Sequence, residues 1–257
     1  MPYMCHCFMC AVQVGAAQFT REQDTNEAPR RHKHEVRNRM PFKLTIEQYL
    51  SDGAPTVTIP GEVTRLDAHA FRDCESLEEL HIPEGVVEIG DHCFSGCKNL
   101  HTVTLPSTLR KLGAYAFNHC EALTQISLPA NITRIYQYTF NGCTALESVN
   151  FDGKVNIIDI AAFMNCHALT SIPALDQVES IGRHAFSGCT LLQTVELPSL
   201  LRLIDDRAFF NCKSLTSVLF PEEVDKLGIM IFTGCNNLNR EDVAPQLAQR
   251  LFAESAS

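Results

Sequence analysis

The sequence predicts an α/β solenoid, a superhelix of short parallel strands, and three observations predict it. Phe71, Phe94, Phe117, Phe140, Phe163, Phe186, Phe209 and Phe232 follow one another at intervals of 23 residues without a slip. Cys74, Cys97, Cys120, Cys143, Cys166, Cys189, Cys212 and Cys235 keep the same step, and so does a leucine column from Leu77 to Leu238. A fixed period of this length with apolar residues in constant columns means that each repeat is one turn, burying its face only against its neighbours. About eight rungs over 56–238 are therefore expected to share one continuous core.

From the N-terminus, residues 1–39 lack a core-forming pattern and are expected to be a disordered tail, with the folded part beginning at Met40. The stretch "KLTIEQYLSDG" supplies a helix start, with Thr45 as N-cap, Gln48 three residues on, and Leu44 and Tyr49 as a staple. Residues 40–55 thus read as a capping helix over the first rung. Each rung then approximates A-F-x-x-C-x-x-L-x-x-V-x-L-P. Val103-Thr104-Leu105 and Val195-Glu196-Leu197 alternate inward apolar with outward polar residues, and Pro106 and Pro198 end the ladder because proline has no donor.

Asp73, Gly96, His119, Gly142, Asn165, Gly188, Asn211 and Gly234 precede the cysteines, and all are types that tolerate positive φ. A left-handed turn is expected there, ending a short helical or 3₁₀ turn around each Ala-Phe. In rungs four and five Phe151-Asp152 replaces Leu-Pro and Pro173 falls two places early, which predicts weaker strands. Beyond residue 238, "APQLAQRLFAE" places Leu247, Ala248, Leu251 and Phe252 on one helical face, so 239–257 reads as a C-terminal capping helix.

The net charge of −9 is unevenly spread. Residues 1–39 hold six Lys/Arg and four Asp/Glu, leaving 15 basic and 26 acidic residues, net −11, for 40–257. An acidic body repels phosphate backbones, so nucleic acid is not an expected partner of the repeat domain. The basic run "RRHKHEVRNR" at 30–39 has the composition of a nuclear-import or nucleic-acid patch, but one short run in a tail reads first as solvated linker. The apolar run "NIIDIAAFM" is far shorter than the ~18 residues of a membrane span.

Twelve cysteines invite a chemical reading. A nucleophilic or metal-binding cysteine should be singular, or clustered at ligand spacing, and the eight ladder cysteines are neither. Buried structural thiols are expected, with no cofactor and no metal. Cys93 falls in a column of small residues with Ala70, Ala116, Thr139, Ala162, Ala185 and Ala208. Cys5, Cys7 and Cys10 with His6 could ligate a metal, yet no second half-site follows. The apolar stretch from Phe8 to Val14 has no Lys or Arg before it, which argues against a signal peptide. A thiol-rich interior then favours a reducing, cytoplasmic location over a secreted or cell-surface one. Asn131-Ile132-Thr133 is a glycosylation sequon that chance alone explains.

The unit "AFSGCTLLQTVELP" at 185–198 strongly resembles the BspA-like leucine-rich repeat family, and the resemblance covers roughly 56 to 238. It implies a right-handed solenoid and a non-enzymatic scaffold that binds other proteins. A secreted or surface adhesin of the same fold is the alternative, and a thiol- or metal-dependent enzyme a distant third. The candidate partner site is on rung four. Ile157, Ile160, Ala161 and Met164 stand where rung three has Arg134, Gln137, Tyr138 and Asn141, and Tyr115 and Tyr138 are stacked in the adjoining column. Inward packing of these apolar side chains, to compensate for an irregular strand, is the competing expectation.

Overall fold

The computed structural model describes residues 56–172, 175–221, 224–239 and 243. The expected tail at 1–39 and the cap at 40–55 lie outside them, as does the cap at 239–257 apart from residues 239 and 243. Among the described residues there is no helix. The rungs are instead built from fifteen short strands, and every pairing is parallel.

One strand column is formed by β1 (Thr56–Thr58), β3 (Glu79–His81), β5 (Thr102–Thr104), β7 (Gln125–Leu128), β9 (Ser148–Phe151), β12 (Thr194–Glu196) and β14 (Ser217–Leu219). The second column holds two-residue strands: β2 (Arg65–Leu66), β4 (Glu88–Ile89), β6 (Lys111–Leu112), β8 (Arg134–Ile135), β10 (Ile157–Ile158), β11 (Ser180–Ile181), β13 (Leu203–Ile204) and β15 (Lys226–Leu227). Partners are 23 residues apart, as in Leu80↔Val103 and Ile158↔Ile181, so the register of the solenoid is the period of the sequence. In the first column Leu80, Ile126 and Val195 point inward and are buried, while their neighbours face water.

The core is a set of stacks. Each phenylalanine ring lies on the next with centroids 5.2–5.8 Å apart, and each is at most 2% exposed. Beside them run the ladder cysteines, all buried and none in a disulfide. Their role is more than filling space: from Cys97 to Cys235, each thiol donates to the phenylalanine carbonyl 26 residues earlier, at 3.0–3.3 Å. Cys143→Ala removes one such bond, from Cys143 Sγ to Phe117 O, and a small buried volume. The Phe117 carbonyl keeps the Cys120 N–H. A loss of about 1–2 kcal/mol by denaturant titration is expected, with the fold retained.

The turn side explains why the Ala-Phe segments are not helical. The N–H groups of Ala70, Arg72 and Cys74 go back three residues, to Asp67, His69 and Phe71. Those of His69, Phe71 and Asp73 instead donate forward to Asp91, Cys93 and Ser95 on the next rung. Alternate donors are thus committed to the neighbouring rung, and a 3₁₀ run cannot propagate. Of the expected helical or 3₁₀ turn, the helix does not form and separate three-residue turns of 3₁₀ type do. The turn column does have positive φ, with Asp73 at 57°, His119 at 56°, Asn165 at 61° and Asn211 at 58°, and the glycines of the column agree. Its alternation has a steric cause: the His119 ring lies across Gly142, where a Cβ would come 2.6 Å from Nδ1. His119 is therefore a turn residue covering a glycine.

The expected weakening of rungs four and five holds only for rung five. There Ser171 and Ile172 belong to no strand, and Pro173 lies outside the described residues. In rung four β9 is four residues long, because Asp152 restores the donor that proline lacks and its N–H reaches Leu128 O at 3.0 Å.

Candidate interaction surfaces

On the turn side three ladders of side chains run along the N-terminal rungs. His69, His92, Tyr115 and Tyr138 stack with ring centroids 4.9, 4.3 and 4.7 Å apart. All four have positive φ, as do Ala161, His184, Arg207 and Met230 in the same column. Sequence reasoning missed this second left-handed column, because tyrosine, arginine and methionine do not advertise positive φ. Next to it, Asn141 Nδ2 donates to Asn118 Oδ1 at 2.9 Å and Asn118 Nδ2 to Ser95 Oγ at 3.3 Å. On the second strand column Glu88 bridges Arg65 at 3.4 Å and Lys111 at 2.8 Å.

The aromatic and amide ladders end at one level. After Tyr138 comes Ala161 and after Asn141 comes Met164, while the ionic ladder ends one rung earlier, at Lys111, and Arg134 pairs in register with Ile157. Arg134 turns to Asp159, making a two-pronged contact at 2.7 and 2.9 Å while lying over the Tyr136 ring. Of the expected partner-binding residues, Ile160 is 42% exposed. Tyr115, Tyr138, Ile157 and Met164 are half-buried, and Ala161 is buried. The i, i+3, i+4, i+7 spacing of the apolar residues belongs to no helix, since Ile157 is in β10 and Ala161 is in the left-handed column.

The aromatic ladder carries a pH dependence. Burial first, then the neighbouring His69 and Arg72, hold the His92 imidazole below its ordinary value, with Asp91 opposing. The folded state therefore favours neutral His92. Its contribution is fully present above the unfolded value near 6.5 and is lost as pH falls through the lower folded value. His184 behaves likewise, through burial and then Arg183 and Arg207. The melting temperature should drop below about pH 6.5, and His92→Tyr, which keeps the stack, should reduce that slope in a series of melts.

The strand side has a different character. A groove of about 650 Å³ opens where β5 and β7 belong to different sheets, and it is lined by Glu84, Thr102, Thr104, Gln125, Ser127 and Asp152 among others. No lysine or arginine lines it. The Glu84 carboxylate accepts from Ser107 N–H at 2.9 Å and from its hydroxyl at 3.0 Å, which holds it below the ordinary carboxylate value. Consider each rung from the residue before the long strand through the turn after it. Among the described residues, these stretches carry Glu62, Glu78, Glu79, Glu84, Glu147, Asp152, Asp176 and Glu196, all exposed, against Lys154 alone. The remaining described residues carry eleven Asp/Glu and eleven Lys/Arg.

The ladder thiols are chemically quiet. Burial pushes Cys143 and Cys189 up to about 12, and raises Cys120 and Cys166 as well. A nucleophile needs the opposite shift and access to solvent. No group of three or more His, Cys, Asp or Glu among the described residues is arranged to hold a metal. No helix long and apolar enough to cross a membrane is present among the described residues.

Stacked 23-residue turns with a phenylalanine, a cysteine and a leucine in fixed core positions define a leucine-rich solenoid. The chain belongs to the BspA-type leucine-rich repeat family: the model of the BspA type leucine rich repeat region matches residues 49–170 and 156–253, in six copies. Its fold is similar to that of a leucine-rich repeat protein from Bacteroides ovatus ATCC 8483, with 26% identity and a TM-score of 0.59 over 78% of this chain and 58% of that one. It is also similar to the T. pallidum leucine rich repeat protein, with 27% identity and a TM-score of 0.54 over 79% of this chain and 86% of that one. The chain thus spans little more than half the length of the B. ovatus protein. No curated protein sequence matches it.

Proposed function

We propose that the protein is a non-enzymatic scaffold that binds another protein, and that the partner sits across the rung-four discontinuity on Tyr115, Tyr138, Ile157, Ile160 and Met164. The observation that carries this reading is the replacement of the aromatic and amide ladders, at one level, by apolar side chains, with Ile157 following Arg134 in register and Ile160 left 42% exposed. Ile160→Ser combined with Met164→Ser should change stability by no more than about 1 kcal/mol, as substitutions at exposed or half-exposed sites do. It should also abolish capture of the partner from native lysate. Unchanged capture with an unchanged melt would sink this site. A loss of several kcal/mol would show instead that the side chains serve packing.

A reducing compartment accompanies this reading, because a thiol that donates to a carbonyl must be reduced, and the nine buried cysteines among the described residues form no disulfide. Mass-spectrometric labelling of the natively purified protein should find those nine unmodified until the chain is unfolded. Disulfides between rungs would overturn the compartment and favour the secreted or cell-surface alternative.

A further inference from the structure

The acidic strand side has a counterpart within the chain. Residues 30–39 carry five Lys/Arg and one Glu, whereas the strand side carries eight carboxylates and one lysine and the rest of the described surface is balanced. We infer that the basic segment 30–39 docks along the strand side of its own solenoid, over the groove between β5 and β7. This site is distinct from the rung-four surface and does not depend on it.

Length permits the contact. Sixteen residues, or seventeen steps of chain, separate Arg39 from Thr56, where β1 begins. Fully extended they reach about 55 Å, and as one continuous helix about 25 Å. The groove lies two to three strands beyond β1, roughly 10–14 Å at the spacing of parallel strands. Chemistry favours it as well. The groove offers hydroxyl and amide groups from Thr102, Thr104, Gln125 and Ser127, with Glu84 and Asp152 as its charges. Glu84 is kept ionised by its two bonds from Ser107. Guanidinium groups donate to carboxylates in pairs and to hydroxyl and amide oxygens singly, so an extended arginine-rich segment fits this lining.

The experiment follows trypsin cleavage at Arg30, Arg31, Lys33, Arg37 and Arg39 in the full chain. A strand-side variant carries Glu79→Gln, Glu147→Gln, Asp152→Asn and Glu196→Gln, and spares Glu84 because it holds Ser107. A charge-matched control carries Glu75→Gln, Glu121→Gln, Glu179→Gln and Asp225→Asn on the other faces. Four screened charge pairs together are worth about tenfold. Cleavage should therefore be about tenfold faster in the strand-side variant than in wild type or control at about 0.1 M salt, with the difference gone at about 1 M. Equal rates in all three proteins, or equal acceleration in both variants, would overturn the proposal.

A second measurement leaves the solenoid untouched. Arg30, Arg31, Lys33, Arg37 and Arg39 are all changed to Gln, and a labelled synthetic peptide RRHKHEVRNR is titrated into this protein and into wild type. Tighter binding to the variant, by about tenfold, is expected because its strand side has been vacated. Equal affinity would overturn docking in cis and assign the strand side to a basic segment of another protein. Binding to neither would also overturn the proposal.

Discussion

Phe140→Ala is expected to destabilise the solenoid by about 3–5 kcal/mol, the usual cost of deleting a fully buried aromatic ring. Phe140 has no exposed surface and lies between the rings of Phe117 at 5.8 Å and Phe163 at 5.2 Å. Its removal forfeits both stacking contacts and opens a cavity that backbone movement cannot close. The neighbouring rungs are fixed to each other by the forward bonds Phe117 N–H to Thr139 O and Phe140 N–H to Ala162 O. Chemical denaturation of the variant should show the loss as an earlier midpoint. A change below about 1 kcal/mol would mean that the rungs collapse onto the space, contrary to this account.

The second large effect is expected from Gly113→Val. A Cβ at Gly113 would come 2.6 Å from the Asp91 nitrogen and 2.6 Å from the Gly90 carbonyl carbon, both backbone atoms of the preceding rung. No side-chain rotation relieves such a clash. The two rungs must separate, disturbing the pairing of Ile89 with Leu112 and the bond from Gly113 N–H to Ile89 O. A cost of about 3 kcal/mol is expected, at the upper end for overpacking. A wild-type melting temperature for Gly113→Val would show that the rungs give more freely than their hydrogen bonds suggest.

The core was legible because a solenoid repeats its physics with its sequence. Phe71, Cys74 and Leu77 recur at one spacing, and one spacing is one turn. His119 could be assigned to a turn because its column mates are glycine, asparagine and aspartate, which share only their tolerance of positive φ. The second left-handed column was hidden for the converse reason. Its occupants are histidine, tyrosine, alanine, arginine and methionine, which share no backbone preference, and what unites them is the pull of donors toward the next rung. The strength of β9 was misjudged because Asp152 was read as a broken motif, when its N–H is what proline had withheld. The thiol bonds were illegible as well, since a cysteine column looks the same whether it fills space or donates.

The candidate surfaces were half legible. The apolar replacements at Ile157, Ile160 and Met164 are visible by aligning rungs. That they coincide with the end of an aromatic and an amide ladder requires coordinates. The charge asymmetry could have been found from the same columns, by summing carboxylates over the strand positions alone.

The forward bonds on the turn side run without interruption from His69 to Asn211, whereas the strand columns are divided into five separate sheets. In elastic terms the molecule is a fan, its ribs pinned along one rim and free to spread along the other. Between β5 and β7, and at the same level between β6 and β8, neither strand column carries a ladder, so bending concentrates there. Curvature of the whole solenoid is then tied to the width of the groove between β5 and β7: closing the groove on a slender ligand tightens the arc, and wedging it open flattens it.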